Sequence, residues 1–237
     1  MASSAVLTIG NEIVSGDVVN TNGSWLAKRL EALGLSVRLV AAVPDEIDLI
    51  VELVRAQAAA QDIVVVTGGL GGTPDDITRE AIAATFGVGQ TEQADVAADL
   101  RARFTADVDY VTRWAQLPTG SRALVNPRGG APGFVLENVY VLPGLPAEME
   151  AMFDALADEL PRQQPIGAWR RTLRTTESRI VGVLEAMGTL HPGVVVGSYP
   201  SFEASGPEVE VVVKSSDPDA LATAALWLEA ALQGESR

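Results

Sequence analysis

A glycine-rich segment that ends in two aspartates is the part of the chain whose residue types point most directly to chemistry. Residues 63–80 read IVVVTGGLGGTPDDITRE. An apolar run leads into a glycine loop, and the loop leads into a pattern typical of a helix start. Such a turn presents backbone N–H groups and the positive end of a helix dipole to one point, where they favour a phosphate or another oxyanion. The segment therefore predicts a site for a phosphorylated small molecule.

The two aspartates, Asp75 and Asp76, predict that a cation takes part. Carboxylates beside a phosphate repel it unless a metal ion or a protonated group lies between them. The loop has neither the Gly-Lys-Ser/Thr of a Walker motif nor the dinucleotide fingerprint. The alternative is a tight turn in which one aspartate caps a helix. A bare turn, however, would not need four glycines in five positions, which here are Gly68, Gly69, Gly71 and Gly72.

Two further carboxylates follow the preceding strand patterns. Gly10-Asn11-Glu12 comes directly after residues 5–9, and Pro44-Asp45 comes directly after residues 37–43. In a parallel sheet, ligands lie beyond the carboxyl ends of the strands, so Glu12, Asp45 and Asp76 are expected at one edge. The alternatives are a solvated turn residue for Glu12 and a helix N-cap for Asp45.

Two glycine-proline loops complete the set of candidate binding segments. They read NPRGGAPGF at 126–134 and LPGLPAEM at 142–149. Such loops can bring backbone amides close to a ligand, and an arginine can hold a phosphate bidentately; the alternatives are a surface loop and a plain strand-to-helix connection. The residues expected to bind the ligand are Gly10, Asn11, Thr67, Gly68, Gly69, Gly71, Asp75, Arg128, Gly130, Pro132, Gly133, Pro143 and Gly144.

The elements that must position these residues alternate between strand and helix. Apolar runs and helical periodicity predict strands at 5–9, 37–43 and 63–66, and helices at 22–33, 44–60 and 76–86. This alternation is typical of a parallel sheet with helices on both faces. A helix at 94–104, a short strand at 118–125, a hairpin at 134–142 and a helix at 148–160 are predicted to follow.

A linker and a second, smaller domain are predicted after the last of these helices. Residues 161–168, PRQQPIGA, have a linker composition. The pattern after them is β-α-β-β-α, with strands at 170–175, 194–199 and 209–214 and helices at 178–187 and 218–232. We therefore predict one domain at 1–162 and another at 168–237.

Composition excludes several classes of protein. A net charge of −14 argues against nonspecific nucleic-acid binding, and no apolar run is long enough to cross a bilayer. The N-terminus lacks a signal-peptide pattern, so we expect a cytoplasmic protein without a membrane partner. The absence of cysteine excludes thiol catalysis, and the lone His191 excludes a histidine-rich metal site. The four tryptophans are expected to pack, and Trp114 lies near no recognisable motif.

Four ordered motifs resemble the CinA family (competence/damage-inducible protein), whose core is the molybdopterin-binding fold of MoaB- and Mog-like proteins. They are GNEIVSGDVVNTN, TGGLGGTPDDITREA, NPRGGAPGF and LPGLPAEMEAMF. The resemblance implies an α/β chain with a three-layer α/β/α core and a mostly parallel sheet. Residues after about 160 are similar to the family's small KH-like α+β domain. The resemblance also implies a homo-oligomer, with a dimer favoured.

The resemblance implies a hydrolase that cleaves ADP-ribose, or a similar dinucleotide, to AMP and a sugar phosphate. Asp76, Asp45 and Glu12 are then the expected catalytic residues and the ligands of Mg²⁺, Mn²⁺ or Co²⁺, with potassium as an alternative cation. Mog-like relatives adenylylate molybdopterin instead. Molybdopterin binding or adenylyl transfer in molybdenum cofactor biosynthesis is therefore the second hypothesis.

The chain departs from the family pattern at three places. Gly72 stands where the family usually has proline, and residues 111–114, VTRW, replace a polar Asn-Arg-Lys-Gln segment. If that segment contacts the substrate, specificity differs here. The family's C-terminal amidase domain has no counterpart in these 237 residues, so amidase activity is not expected. This motivates a third hypothesis, a non-enzymatic nucleotide-sensing partner of a separate amidase chain.

Overall fold

The computed structural model describes residues 2–204 and 206–233, and the chain divides into two compact units, residues 1–163 and 164–237. The strands of the first unit are β1 (Ser3–Ile9), β2 (Ser36–Val43), β3 (Ile63–Thr67), β4 (Gln90–Glu92), β5 (Gln116–Pro118), β6 (Arg122–Leu124), β7 (Gly133–Leu136) and β8 (Val139–Leu142). Its helices are α1 (Asn11–Val14), α2 (Thr21–Ala32), α3 (Ile47–Ala60), α4 (Thr78–Phe86), α5 (Ala94–Arg103), α6 (Val108–Val111), a 3₁₀ helix (Thr112–Ala115) and α7 (Pro146–Leu156).

A six-stranded sheet in the order β2-β1-β3-β8-β7-β6 is the centre of the first unit. The pairs β1/β2, β1/β3 and β3/β8 are parallel, whereas β7 runs antiparallel to both of its neighbours. The predicted α/β class with a mostly parallel sheet is therefore confirmed. The parallel strands all end at the same edge of the sheet, after Ile9, Val43, Thr67 and Leu142.

Alternating residues of the central strands supply two hydrophobic cores, one on each face of the sheet. Val6 of β1 belongs to the core that contains Leu26 of α2 and Phe153 of α7. The next residue, Leu7, belongs to the core that contains Ile50 of α3 and Ile82 of α4. Because successive side chains of a strand point to opposite faces, both faces of the sheet are covered by helices, which gives three layers.

Three predicted boundaries were wrong in ways that affect the site. Helix α3 begins at Ile47 instead of residue 44, and α4 begins at Thr78 instead of residue 76, so Asp45 and Asp76 lie in loops. Neither aspartate caps a helix, because both carboxylates bind backbone amides of the loops. The strand predicted at 118–125 is two strands in different sheets, β5 and β6, separated by a turn in which Gly120 has φ of +87°.

The second unit has the element order β-α-β-β-α. Its elements are β9 (Gly167–Leu173), α8 (Glu177–Leu190), β10 (Val195–Glu203), β11 (Gly206–Ser215) and α9 (Pro218–Ala231). The strands form an antiparallel sheet in the order β10-β11-β9, and the two helices pack their apolar residues against it. In the described part of the chain, no helix has both the length and the apolar character that crossing a membrane requires.

Candidate functional site

Most of the predicted site residues lie together in a cavity at the carboxyl ends of the parallel strands. The cavity has a volume of about 440 Å³, within the range of ordinary ligand pockets. It is lined by Ile9, Gly10, Glu12, Asp45, Gly68, Gly69, Leu70, Gly71, Asp75, Asp76, Trp114, Gly130, Ala131, Pro143, Gly144, Leu145 and Glu148. The three predicted catalytic carboxylates, Glu12, Asp45 and Asp76, are all in this set.

The glycine loop after β3 lies against the loops that follow β1 and β8. Gly68 has φ of +107°, and a Cβ there would lie 2.2 Å from the carbonyl oxygen of Ile9. A Cβ on Gly144 would lie 3.3 Å from the Cα of Gly68. Only glycine allows both the positive φ and this approach of backbones, so Gly68 determines how closely the three loops pack.

Asp76 holds the glycine loop together through its carboxylate. Its Oδ1 accepts a hydrogen bond from the amide of Gly71 at 2.9 Å. Its Oδ2 accepts from the amide and the hydroxyl of Thr73 at 2.8 and 2.5 Å. Asp76 therefore positions the loop, and a carboxylate with about four lone-pair sites retains acceptor capacity for one more partner.

Arg79 binds the carbonyl side of the same loop and is a residue whose role the sequence pattern did not predict. Its guanidinium is buried and donates to the carbonyls of Leu70 and Gly71, both at 2.7 Å. Burial lowers the pKa of Arg79, while nearby Glu80 and Asp76 oppose that shift. Because arginine keeps its charge in proteins, the buried cation fixes both carbonyls on one side of the loop.

Asp45 is fixed to the first loop by a reciprocal pair of hydrogen bonds. The amide of Asn11 donates to Oδ2 of Asp45 at 2.8 Å, and the amide of Asp45 donates to Oδ1 of Asn11 at 3.2 Å. Partial burial raises the pKa of Asp45, and the charges of Glu12, Asp75 and Asp76 raise it further, against the lowering effect of the Asn11 bond. Asn11 thus acts by positioning Asp45 and does not itself line the cavity.

Two glutamates reach the cavity from opposite sides. The Glu12 carboxylate folds over Gly10, where a Cβ would lie 2.5 Å from Oε1, and the side chain has no hydrogen-bond partner among the described residues. Glu148 of α7 lies over Gly130 in the same way, and its Oε2 accepts from Nδ2 of Asn126 at 2.8 Å. Glu148 lies in the segment LPGLPAEM at 142–149, but the sequence did not predict it as a site residue.

Thr67 and Asn22 hold the Pro143-Gly144 loop in place. The Thr67 hydroxyl donates to the carbonyl of Pro143 at 2.7 Å, and Nδ2 of Asn22 donates to the carbonyl of Gly144 at 2.8 Å. Both side chains are buried, so Thr67 lies behind the cavity wall. These two hydrogen bonds hold the carbonyls of the loop. Four backbone amides near them donate to no protein acceptor in the described residues and are available to an anion; they belong to Gly69, Leu70, Gly144 and Leu145.

Five predicted ligand-binding residues lie outside the cavity lining: Asn11 and Thr67, described above, and also Arg128, Pro132 and Gly133. Arg128 is exposed, and only its backbone amide is engaged, by Oδ1 of Asn126. Pro132 lines a different surface cavity, beside α5. Gly133 is buried in β7, where a Cβ would lie 2.3 Å from the carbonyl oxygen of Val141, so its role is close strand packing. The role of Arg128 in holding a phosphate therefore stays a prediction.

The cavity is strongly acidic. Five carboxylates line it, from Glu12, Asp45, Asp75, Asp76 and Glu148, and none of its lining residues in the described chain is a lysine, arginine or histidine. An anionic ligand would therefore need a cation to enter with it. In the described residues, no group of three or more His, Cys, Asp or Glu side chains is arranged so that it could hold a metal ion. The donor set fits a hard cation such as Mg²⁺, which is typically held by one or two carboxylates together with water and substrate phosphates.

An aromatic side chain closes the cavity on the side of the 3₁₀ helix. Trp114 lines it, and packs edge-on against Phe104 and Tyr110, with ring centroids 5.8 and 5.9 Å away. The Tyr110 ring in turn covers Gly72, where a Cβ would lie 2.6 Å from Cε2. Trp114 belongs to residues 111–114, where the sequence departs from the CinA pattern, and that departure is the sequence signal that could have identified it. Tyr110 lies just before this segment and had no such signal.

Each of the two units is similar to a known family of domains. Residues 5–162 match the family described as a probable molybdopterin binding domain, and residues 171–237 match the middle domain of FAD synthase. A protein of Archaeoglobus fulgidus is 35% identical over 218 residues, which are 89% of this chain and 93% of that protein. A CinA-like protein of Frankia casuarinae is 39% identical over 200 residues, covering 77% of this chain and 46% of the relative.

A solved structure matches the same part of the chain. The protein CinA of Thermoplasma acidophilum, whose function is described as unknown, is 34% identical and superimposes with a TM-score of 0.62. The match covers 67% of this chain and 97% of that protein. All the residues that line the cavity lie within the matched family domain at residues 5–162.

Proposed function

The chain belongs to the CinA family, and from this membership and the acidic cavity we propose that it is a metal-dependent pyrophosphatase. Its substrate would be ADP-ribose or a similar dinucleotide, cleaved by water to AMP and a sugar phosphate. The single observation that carries the proposal is that five carboxylates meet backbone amides at the strand ends, and that these amides have no acceptor among the described residues. Such a site suits a phosphoric anhydride that binds together with a divalent cation.

The residues divide into those that hold phosphate and those that hold the cation. The free amides of Gly69, Leu70 and Gly144 would donate to the non-bridging phosphate oxygens. Glu12, Asp45 and Asp76 are the carboxylates that would hold Mg²⁺, Mn²⁺ or Co²⁺, one or two of them directly and Asp45 through a bound water. When bound, such a cation neutralises charge on the phosphates and makes a bound water more acidic.

Asp45 is the residue best placed to accept a proton from the attacking water. Its Oδ2 is held by the Asn11 amide, which leaves Oδ1 free for the water. Its raised pKa makes it a stronger base than an ordinary aspartate, which favours proton transfer at neutral pH. The water oxygen would bond to phosphorus as the anhydride bond breaks, and the second phosphate would leave with the bridging oxygen.

The test is the release of AMP from ADP-ribose by the purified protein. We expect AMP and ribose 5-phosphate in equal amounts with at least one of Mg²⁺, Mn²⁺ and Co²⁺, and none in the presence of a chelator. A protein that releases no AMP with any of the three cations would contradict the proposal.

Molybdopterin binding or adenylyl transfer is the second candidate, because residues 5–162 match a probable molybdopterin binding domain. It would use the same glycine loop and the same cavity. Calorimetric titration with molybdopterin and with ADP-ribose separates the two candidates. Micromolar binding of the pterin, without binding of ADP-ribose, would reverse the order of preference.

A further inference from the structure

Trp114 forms an aromatic wall in a cavity that is otherwise lined by glycines, carboxylates and aliphatic residues. The indole packs at 88° to the ring of Phe104 and at 72° to that of Tyr110. It also contacts the core below the sheet. Because two rings and the core pack against it, the indole has a fixed orientation before any ligand arrives.

Packing alone does not explain a tryptophan at this position. Its Nε1–H is buried and has no acceptor among the described residues. A buried donor without a partner costs free energy, and a phenylalanine could pack against Phe104 and Tyr110 without that cost. The larger, electron-rich face of an indole fits a role in contacting a ligand better than a purely structural role.

Because the cavity is acidic, a ligand contact that does not depend on charge is favoured there, and the face of an aromatic ring provides such a contact. The lining side chains in the described residues include five carboxylates and no cation, so attraction between side chains and phosphate contributes little to affinity. Stacking of a flat heteroaromatic ring on an aromatic side chain does not depend on charge, and its loss lowers affinity roughly 5- to 150-fold.

We propose that Trp114 binds the ring of the ligand, a phosphorylated compound that carries a flat heteroaromatic ring, by stacking against it. The proposal rests on the cavity assigned under the proposed function, but it does not require that the anhydride be cleaved. A nucleobase and a pterin share this chemistry, so ligands of both kinds are included in the test.

The decisive comparison uses AMP and ribose 5-phosphate, which differ only in the adenine ring. With Mg²⁺ present, calorimetry should show tighter binding of AMP by the wild-type protein. Trp114→Leu should weaken AMP binding roughly 5- to 150-fold and change ribose 5-phosphate binding less than about twofold, whereas Trp114→Phe should retain most of the affinity. Neopterin phosphate, tested in the same way, shows whether a pterin ring stacks as adenine does.

Trp25→Leu is the matched control, because Trp25 packs against Phe153 on the other face of the sheet and does not line the cavity. It should leave the preference for AMP unchanged. Two results with AMP would count against the proposal: Trp114→Leu weakens the binding of AMP and of ribose 5-phosphate equally, or the wild-type protein binds the two equally. Either result overturns the proposal unless Trp114→Leu weakens the binding of neopterin phosphate more than that of ribose 5-phosphate.

A second measurement covers the case in which Trp114→Leu does not fold. Replacing Trp25, Trp169 and Trp227 by phenylalanine leaves Trp114 as the sole source of tryptophan fluorescence. AMP or neopterin phosphate should quench or shift this emission, and ribose 5-phosphate should not. The same response to all three ligands, or to none, would contradict stacking.

The outcomes also separate this proposal from the pyrophosphatase proposal. Ring-dependent binding that disappears in Trp114→Leu, in a protein that releases no AMP, would support stacking and reject cleavage. Release of AMP with the same KM in wild type and Trp114→Leu would support cleavage and reject stacking.

Discussion

The negative charge that Asp45 carries is unfavourable for the folded protein. Partial burial and the carboxylates of Glu12, Asp75 and Asp76 hold its pKa above the ordinary value, so the native state binds a proton more tightly than the unfolded chain. Above the native pKa the charge costs stability, and the cost disappears as the pH falls through that pKa. Residues of a cation site are expected to show this behaviour when no cation is bound.

Asp45→Asn should therefore stabilise the protein at neutral pH in the absence of divalent cations. The asparagine oxygen can still accept from the Asn11 amide, and the repulsion is removed. Because Asp45 is only partly buried, solvent screens much of this repulsion, and we expect less than about 1 kcal/mol, a rise of a few degrees at most in the unfolding temperature. Thermal unfolding should show this difference shrinking as the pH is lowered toward the ordinary aspartate pKa of 3.8.

Glu46→Gln provides the control, since Glu46 is exposed, is adjacent in sequence and does not line the cavity. Its unfolding temperature should remain close to that of the wild type throughout the pH range. If Asp45→Asn were less stable than the wild type at neutral pH, the assigned environment of Asp45 would be wrong.

Replacing Arg79 should disturb the glycine loop and lower the stability of the folded protein. Arg79→Met removes two charge-assisted hydrogen bonds and leaves the carbonyls of Leu70 and Gly71 without a protein donor. We expect a loss of about 2–4 kcal/mol in the free energy of unfolding, measured by urea denaturation. Arg55→Met, at an exposed position of α3, should change it by less than about 0.5 kcal/mol. Equal stability of Arg79→Met and Arg55→Met would show that the guanidinium does not support the loop.

At the scale of elements, the approach of the loops at the strand ends depends on glycine backbones. Gly68→Ala would place a Cβ 2.2 Å from the carbonyl oxygen of Ile9, at a φ that only glycine adopts easily. We expect a loss of more than about 2 kcal/mol in unfolding free energy, together with weaker phosphate binding. Gly89→Ala is the matched substitution, because its nearest neighbour beyond the adjacent residues would be 3.9 Å away. Similar stability of the two variants would contradict the close packing of these loops.

The elements around the cavity were predictable from the sequence because strand ends and glycine loops are local signals. The run 63–66 and the glycines after it predicted the end of β3 to within one residue. The two strands at 116–124 were not separable from the sequence, because their partners, β4 and β7, are defined only in the folded chain. Trp114 is a similar case, since its place in the cavity depends on how the 3₁₀ helix packs.

At the scale of the whole molecule, the two units have separate hydrophobic cores, and the cavity belongs entirely to the first unit. The second unit is similar to the FAD synthase middle domain, and none of the lining residues found in the described chain comes from it. We therefore expect the chemistry to be determined by residues 1–163. A homo-oligomer, with a dimer favoured, stays a prediction.

The most direct test of the account is the cation-dependent release of AMP from ADP-ribose by the wild-type protein, Asp45→Asn and Glu46→Gln. We predict that the wild-type protein and Glu46→Gln release AMP at similar rates. Asp45→Asn should lose at least about 100-fold in rate although it is no less stable than the wild type, because the proton acceptor is missing. Asp45→Asn with the wild-type rate, or a wild-type protein inactive with every divalent cation, would contradict the account.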